Sequence, residues 1–451
     1  MNLEYLKNKK VCLLGLGLEN LSLAKYLAKQ GIAVSILDKR SSKELGDRYE
    51  TIKKIKAKFY GGPAYLDKLP DFDVIFKSPG FVGNIRAKKG AIITSAMGLF
   101  FDLCPAKIIA VTGTKGKGTV ASLCHHVLIH SNKKAWLAGN IGKAPFDFID
   151  KLKPNHFVVL ELSSFQLIDF KNWPHIAVVT NLFPEHLSPA DPINPIFHKS
   201  LKEYYAAKAN IFLYQKKENW LVINKNNHHS ENFLKKTKAR VVFFKTNNNL
   251  PQNHHLIGLH NQENIAAACE AAKILKIPPK TINRAIENFR GLKHHLEFIA
   301  EISGVKFYND SASTMPQATL AALRSFEKSV ILITGGINKG YDLKKFTKDL
   351  LKSSHPIAIM LIGRTAKELF GYFENMQSKF ENRLLAAYYR GDKNIQEIVR
   401  ETAAIASREG DIVLFSPGFA SFDMFKNSKD RGEKFKEAVL ELSAAKDEIH
   451  R

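Results

Sequence analysis

Ile108-Ile109-Ala110-Val111-Thr112-Gly113-Thr114-Lys115-Gly116-Lys117-Gly118-Thr119-Val120 reads as an apolar strand entering a glycine-rich turn, then a lysine, a hydroxyl residue and the start of a helix. Glycines let consecutive backbone N–H groups point into one concavity, and the N-terminus of the following helix adds partial positive charge. Lys117 can then reach the outer phosphates of a nucleotide, and Thr119 can offer its hydroxyl to Mg²⁺. A tight strand-to-helix turn carrying a surface lysine is the plainer account of the same residues. The strand context favours ATP binding, with Gly113, Thr114, Lys115, Gly116, Lys117, Gly118 and Thr119 as the cradle.

Working outward, residues 10–14 form an apolar run, Gly15-Leu16-Gly17 a turn, and 21–29 a stretch of helical period; 33–37 is a second apolar run closing on Asp38. A third run, 74–76, ends in Ser78-Pro79-Gly80, and 97–105 reads as a connector into the strand at 107–111. Downstream, 157–160 and 176–180 are short runs rich in β-branched residues, as buried parallel strands tend to be. Residues 225–253 are polar and asparagine-rich around one apolar run at 241–244, which suggests loops at a sheet edge; 261–275 is a helix with an alanine-rich face. Beyond Gly291, apolar runs at 306–308, 330–334, 358–362 and 412–415 alternate with helical segments. Strands alternating with helices imply parallel sheets, whose ligands sit beyond the carboxyl ends of the strands.

The chain has 451 residues, enough for two or three domains at about 150 residues each. Its 45% hydrophobic and 24% charged residues exclude disorder and collagen-like fibres. No apolar run approaches the roughly 18 residues that span a bilayer, and the short run after Lys10 lacks a cleavage site. Cys12, Cys104, Cys124 and Cys269 are scattered without a CxxC pair, which argues against a disulfide framework or a thiolate zinc site and fits a reducing compartment. The expectation is a cytoplasmic protein. A formal charge of +24 raises the question of nucleic acid or an anionic membrane, but the lysines are spread along the chain, many beside asparagine. A solvated lysine-rich surface is the expectation, with no nucleic-acid partner and no membrane insertion.

Two further strand ends carry polar residues. Leu160-Glu161-Leu162-Ser163-Ser164-Phe165-Gln166 ends an apolar run on a carboxylate, a fitting partner for Mg²⁺, which takes few carboxylates beside phosphate oxygens and water. Thr180-Asn181-Leu182-Phe183-Pro184-Glu185-His186-Leu187 follows. His126 and His130 lie four apart after the glycine turn, without the glutamate of a metalloprotease motif, and read as helix-surface residues.

Taken in order, VTGTKGKGT, GNIG (139–142), ELSSFQ, NLFPEH and YYAAK (204–208) resemble the central domain of the Mur ligases, ATP-dependent amino-acid-adding enzymes of peptidoglycan synthesis. The resemblance continues through Gly258-Leu259-His260-Asn261 with Asn264, Tyr308-Asn309-Asp310-Ser311, Gly335-Gly336-Ile337-Asn338-Lys339-Gly340 and Ser416-Pro417-Gly418-Phe419-Ala420-Ser421-Phe422-Asp423, covering nearly the whole chain. It implies an α/β fold of three domains: an N-terminal Rossmann-like domain for the UDP substrate (1–96), a central P-loop ATPase with a parallel sheet (97–291), and a C-terminal Rossmann-like domain for the amino acid (292–451). The last two motifs look like the members that add D-glutamate to UDP-N-acetylmuramoyl-L-alanine.

The resemblance also implies roles. Lys117 and the amides near Gly116 would hold phosphates; Thr119 and Glu161 a first Mg²⁺; His186 a second. Lys208 matches a lysine that is carbamylated in the family, where it would orient the metal shell. Lys117, Glu161, His186 and Lys208 are thus the catalytic candidates. Asn264 and Asp310 would address adenosine; Gly17, Leu18, Asp38, Gly80, Asn140 and Ser163 the UDP substrate; Thr314, Lys339 and Ser421 the D-glutamate carboxylates. Carboxylate-rich reactants repel, and cations offset that repulsion. The implied cofactors are ATP and two Mg²⁺ ions, the implied partners small-molecule substrates, and the implied state a monomer.

Several positions depart from the family pattern: Asn20 for the third glycine of the first turn, Gly118 for a hydroxyl residue, Ser188 for aspartate, His295 for arginine, Ala312 for lysine and Ser428 for an aromatic residue. The Gly118 form looks like folylpolyglutamate synthase, which lacks the N-terminal nucleotide domain, and another amino acid of the Mur series is a further alternative. A non-catalytic nucleotide-binding scaffold, suggested by Gly15-Leu16-Gly17 with Asp38 some twenty residues on, is the alternative of another class.

Overall fold

The computed structural model describes residues 3–81, 83–185, 187, 197–227, 235–327, 329–353, 356–377, 386–406 and 411–449. Contacts divide the chain into two compact units, one comprising Met1–Ala190, Asn194–Pro251 and Glu263–Ile286, the other Asp191–Ile193, Gln252–Gln262 and Glu287–Arg451.

The first unit holds two parallel sheets. The N-terminal one is built from β1 (Val11–Leu14), α1 (Leu18–Lys29), β2 (Val34–Asp38), α2 (Ser42–Leu45), α3 (Asp47–Lys54), β3 (Lys58–Gly61), β4 (Val74–Lys77) and β5 (Ile92–Thr94), with strand order β3-β2-β1-β4-β5. β1 and β2 are buried along their whole length, which is why their sequences are continuous apolar runs rather than alternations. Asn20 stands where the third glycine was expected and fills the space productively. Its side-chain amide donates to the carbonyls of Leu14, Gly15 and Phe76, tying α1 to β1 and β4.

Residues 97–105, expected as a connector, lie largely in an eight-residue helix, α4 (Ala96–Leu103), capped by the Ser95 hydroxyl on the Gly98 amide. Ala96, Met97, Gly98, Leu99 and Phe100 are all buried, so no polar face marks the helical period. The second sheet follows: β6 (Lys107–Thr112), α5 (Lys117–His130), β7 (Ala135–Gly139), β8 (Phe157–Glu161), α6 (Ser164–Leu167), β9 (Ile176–Val179), α7 (Leu201–Leu213), β10 (Trp220–Asn224), β11 (Arg240–Phe244), α8 (Leu259–Ile274) and α9 (Pro279–Glu287). Its order is β11-β10-β9-β6-β8-β7, all parallel. The apolar run at 241–244 is the edge strand β11. Both sheets contribute to one apolar core, where Phe100 packs edge-on against Phe146 and Phe148.

The second unit carries β12 (Glu297–Ile302), β13 (Val305–Asn309), α10 (Pro316–Leu323), β14 (Val330–Gly335), α11 (Leu343–Lys352), β15 (Pro356–Ile362), α12 (Ala366–Gln377), β16 (Ala386–Tyr389), α13 (Ile395–Ile405), β17 (Ile412–Phe415) and α14 (Ser428–Ile449). Strand order is β12-β13-β17-β14-β15-β16, with only the β12–β13 pair antiparallel. No described helix is long and apolar enough to cross a membrane.

Candidate functional site

The glycine-rich turn leaves the carboxyl end of β6, and neighbouring strand ends shape it. The Thr114 amide donates to the carbonyl of Asn181, and the Lys115 amide to the Asn181 side-chain oxygen, both at 2.8 Å. The Thr180 hydroxyl and the Asn181 side-chain nitrogen return donors to the Lys115 carbonyl at 2.6 and 3.2 Å. The end of β9 thus acts as a template for the turn. A Cβ at Gly113 would stand 1.9 Å from the Thr180 hydroxyl, and one at Gly116 2.2 Å from the Asn264 side-chain oxygen. Gly116, with φ +80°, is also the N-cap of α5 and supplies no side-chain cap. The first-turn N–H groups, which include those of Gly118 and Thr119, therefore have neither a preceding helical carbonyl nor a cap and are available to an anion.

Charged groups converge on this turn. The Lys117 ammonium donates to the Thr114 carbonyl at 2.9 Å, and burial pulls its pKa below the usual lysine range despite Glu161 and Glu185. Lys208, on the inner face of α7, donates to the Gly113 carbonyl at 2.5 Å. Burial first, and Lys117 second, push its amine down to about 7. Glu161 ends β8 and is buried; desolvation raises its pKa against the opposing pull of Lys117, the Asn140 side-chain bond and Lys208. Lys115 pairs with Glu185, and the Tyr204 hydroxyl meets the Thr114 hydroxyl at 3.0 Å. Lys117, Glu161, Lys208, Asn140 and Asn264 are thereby brought to one turn. His186 lies outside the described residues, as does Ser188.

Oxygen donors such as Glu161 and Thr119 suit Mg²⁺, which completes its shell with phosphate and water. Among the described residues no cluster of three or more His, Cys, Asp or Glu stands together. The His126/His130 pair is not simply a helix-surface feature. His130 is exposed, but His126 is half-buried, its ring 4.0 Å from that of His130, and burial pushes its pKa down to about 4.

In the N-terminal sheet, Gly17 caps α1 without a side chain, and Leu18 is 67% exposed. Asp38 is buried, accepting from the Leu16 amide at 2.6 Å and from Arg40 at 2.7 and 2.8 Å. Burial opposes its ionisation, but Arg40 and the amides win and its pKa falls below the usual carboxylate range. Gly80 is exposed just beyond β4, and Ser163 caps α6.

In the second unit, three loops meet at the carboxyl ends of β13, β14 and β17. The Gly418 amide donates to the Ser313 carbonyl at 3.0 Å, and Ile337 and Ala420 exchange backbone bonds at 2.8 and 3.2 Å. Thr314, Lys339 and Ser421 each belong to one of these loops; Ser421 is buried, the other two half-buried. Asp310 is buried at the same end, accepting from the hydroxyls of Ser313 and Ser416 at 2.5 and 2.7 Å and from the Leu296 amide at 3.2 Å. Sequence reasoning missed Arg431. Buried at the start of α14, it donates to the Ser311 hydroxyl and carbonyl and to the Phe419 carbonyl, tying together two of the three loops. An arginine in a helical, lysine-rich stretch carries no sign that its guanidinium turns inward.

Residues 9–93 match the family description "Mur ligase MurD-like, N-terminal domain", and residues 111–254 match "Mur ligase middle domain". The chain is 37% identical to the UDP-N-acetylmuramoylalanine–D-glutamate ligase of Ruminiclostridium cellulolyticum, over 97% of each chain. It is equally 37% identical to the ligase of that name from Acetivibrio thermocellus, over 97% of this chain and 98% of the relative. Among solved structures, the UDP-N-acetylmuramate–alanine ligase MurC of Thermotoga maritima aligns over 96% of this chain and 100% of its own, at TM-score 0.54 and 17% identity. MurF of Acinetobacter baumannii aligns over 90% of both chains, at TM-score 0.57 and 13% identity. These two likenesses speak to the fold.

Proposed function

The chain belongs to the Mur ligase family, and from that premise we propose that it joins D-glutamate to UDP-N-acetylmuramoyl-L-alanine at the expense of ATP, as a peptidoglycan-precursor ligase. The observation that carries the chemistry is the convergence of Lys117, Lys208 and Glu161 on a glycine turn whose first-turn amides are open to an anion.

In this reading the acceptor's carboxylate attacks the γ-phosphorus of ATP, giving an acyl phosphate and ADP. The D-glutamate amine attacks the acyl carbon, and the tetrahedral intermediate collapses to amide and phosphate. Gly113, Thr114, Lys115, Gly116, Gly118 and Lys117 hold the phosphates; Lys117 adds charge where negative charge accumulates. Thr119, Glu161, His186 and a carbamylated Lys208 would hold two Mg²⁺ ions. Bound there, Mg²⁺ would screen phosphate charge and polarise the phosphoryl oxygens.

Residues 1–96, 97–291 and 292–451 divide the work. Gly17, Leu18, Asp38, Gly80, Asn140 and Ser163 take the UDP substrate, with its diphosphate on the uncapped N-terminus of α1. Asn264 and Asp310 address adenosine, and Thr314, Lys339 and Ser421 take D-glutamate. The enzyme works in the cytoplasm as a monomer. Relatives that match 97% of the chain, first sheet included, favour this reading over a folylpolyglutamate synthase, despite Gly118.

Phosphate release measured across a panel of amino acids, with UDP-N-acetylmuramoyl-L-alanine as acceptor, tests it. Release should require both the acceptor and D-glutamate. Turnover with L-alanine on an acceptor lacking alanine, or with a folate, would replace the assignment.

A further inference from the structure

Glu19 lies two residues past Gly17, in the turn of α1 that the proposed function gives to a diphosphate. A charged carboxylate there would oppose an anionic ligand, so its surroundings matter. Its Oε1 accepts from the Gln166 side-chain nitrogen. The orientation of that amide follows from its other end: Gln166 Oε1 accepts from the Ser163 amide at 2.8 Å and the Ser163 hydroxyl at 3.0 Å. A backbone N–H can only donate, so the oxygen of Gln166 must face Ser163 and the nitrogen must face Glu19.

The second carboxyl oxygen, Oε2, is buried and has no hydrogen-bond partner among the described residues. An ionised carboxylate with one oxygen buried and undonated to is costly, whereas a protonated carboxyl is far less so. Burial accordingly pushes Glu19 up to about 7, only partly offset by the Gln166 bond. The charged groups on the elements around α1 and α6 are matched elsewhere. Asp38 holds Arg40, Arg48 donates to the Leu16 carbonyl, Asp147 accepts from Ser22, Lys29 pairs with Asp150, Lys77 with Asp169, and Asp102 accepts from Asn172. None of these makes an ion pair with Glu19.

We propose that Glu19 is a positioning residue for the UDP substrate: in its carboxylic-acid form it ties the first turn of α1, through Gln166, to Ser163 and the start of α6 without adding charge, and its ionisation sets a negative charge beside the place the diphosphate must take. The inference rests on the proposed UDP-substrate reading. It places the N-terminal and central sheets' share of one substrate under a single proton.

The test is the KM for UDP-N-acetylmuramoyl-L-alanine and kcat, measured from about pH 6 to about pH 9 on the native enzyme, Glu19→Gln and Glu19→Ala. In the native enzyme this KM should climb above pH 7, approaching tenfold per unit, while the KM for ATP does not follow. Glu19→Gln, neutral and still able to accept from Gln166, should keep the low-pH KM and lose the climb. Glu19→Ala should raise the KM at every pH. A carbon-13 carboxyl titration of the free enzyme supplies a readout independent of turnover. A Glu19 carboxyl titrating in the ordinary glutamate range, or a Glu19→Gln profile that climbs like the native one, overturns the inference. Absence of any turnover with the UDP acceptor overturns the functional reading instead, so the two failures are distinguishable.

Discussion

The side-chain nitrogen of Lys208 donates to the carbonyl oxygen of Gly113, 2.5 Å away, so a buried lysine of α7 braces the first glycine of the glycine-rich turn. After burial, Lys117 is the charged group that acts most on this amine, followed by Glu185 and Glu161, which pull the other way. A lysine this desolvated is unlike the surface lysines that give the chain its +24 charge. Incubation with carbon-13 bicarbonate should produce a carbamate carbon signal that is absent from Lys208→Met. The same variant should lose on the order of 10²–10³ in turnover. Full activity in Lys208→Met would remove the residue from the chemistry.

Lys117→Ala tests the cradle itself. The substitution removes the Thr114 carbonyl's donor and the ammonium proposed to lie against the phosphates. ADP release should fall by about 10²-fold or more, while circular dichroism and melting temperature stay close to native. Undiminished ADP release would leave the turn without a catalytic lysine.

Gly116→Ala separates shape from charge. The new Cβ would sit 2.2 Å from the Asn264 side-chain oxygen, at a φ of +80° that only glycine adopts without strain. The turn and the Asn264 side chain cannot both keep their places. ATP affinity, read by fluorescent-nucleotide titration, should drop at least about tenfold, with a loss of roughly 1–3 kcal/mol in stability. Unchanged affinity would show that Asn264 does not press on the turn.

The glycine-rich turn was legible as a strand-to-helix turn because its signal is local: glycines, lysine and hydroxyl lie within seven residues of one strand end. The central buried strands were legible for the same reason, as continuous apolar runs. What escaped was non-local or lacked periodicity. The edge strands β3 and β5 are partly exposed and carry mixed residues, and β12 joins its sheet antiparallel through a hairpin that only tertiary pairing reveals. Thr180 and Asn181 were visible as polar residues at a strand end, but not as the template that shapes the turn, because their partners are 65 to 67 residues away in sequence. Arg431 reaches across 120 residues to Ser311.

Asp310 offers a pH test in the second unit. Burial raises its carboxyl to about 6, against the bonds from Ser313, Ser416 and the Leu296 amide and the nearby Arg431. The folded state therefore holds a proton that the unfolded chain, with a carboxyl near 3.9, releases earlier. Its contribution to stability is present below that lower value and is lost as pH rises through about 6. Native-state hydrogen exchange at β13 and β17 should show protection falling over that interval. Asp310→Asn should flatten the trend; an equal slope in the variant would assign it to other groups.

Lys339 carries the amino-acid assignment. It lies in the loop after β14, joined to the loop after β17 by the paired backbone bonds of Ile337 and Ala420, while Gly418 holds the segment that carries Thr314. An ammonium on one loop and hydroxyls on the other two suit a ligand with two carboxylates better than a neutral amino acid. Removing the ammonium should weaken ground-state and transition-state binding of that carboxylate together, so the loss should appear in KM with kcat little changed. Lys339→Ala should therefore raise the KM for D-glutamate by about 10- to 100-fold and leave the KM for ATP within about twofold, a charge-assisted contact being worth roughly 1.5–3 kcal/mol. Lys339→Arg keeps the charge on a longer, planar group and should fall between the two. Equal rises in both constants would mean that Lys339 supports the fold of the second unit rather than the acidic substrate, and the D-glutamate site would have to be sought on other residues of the three loops.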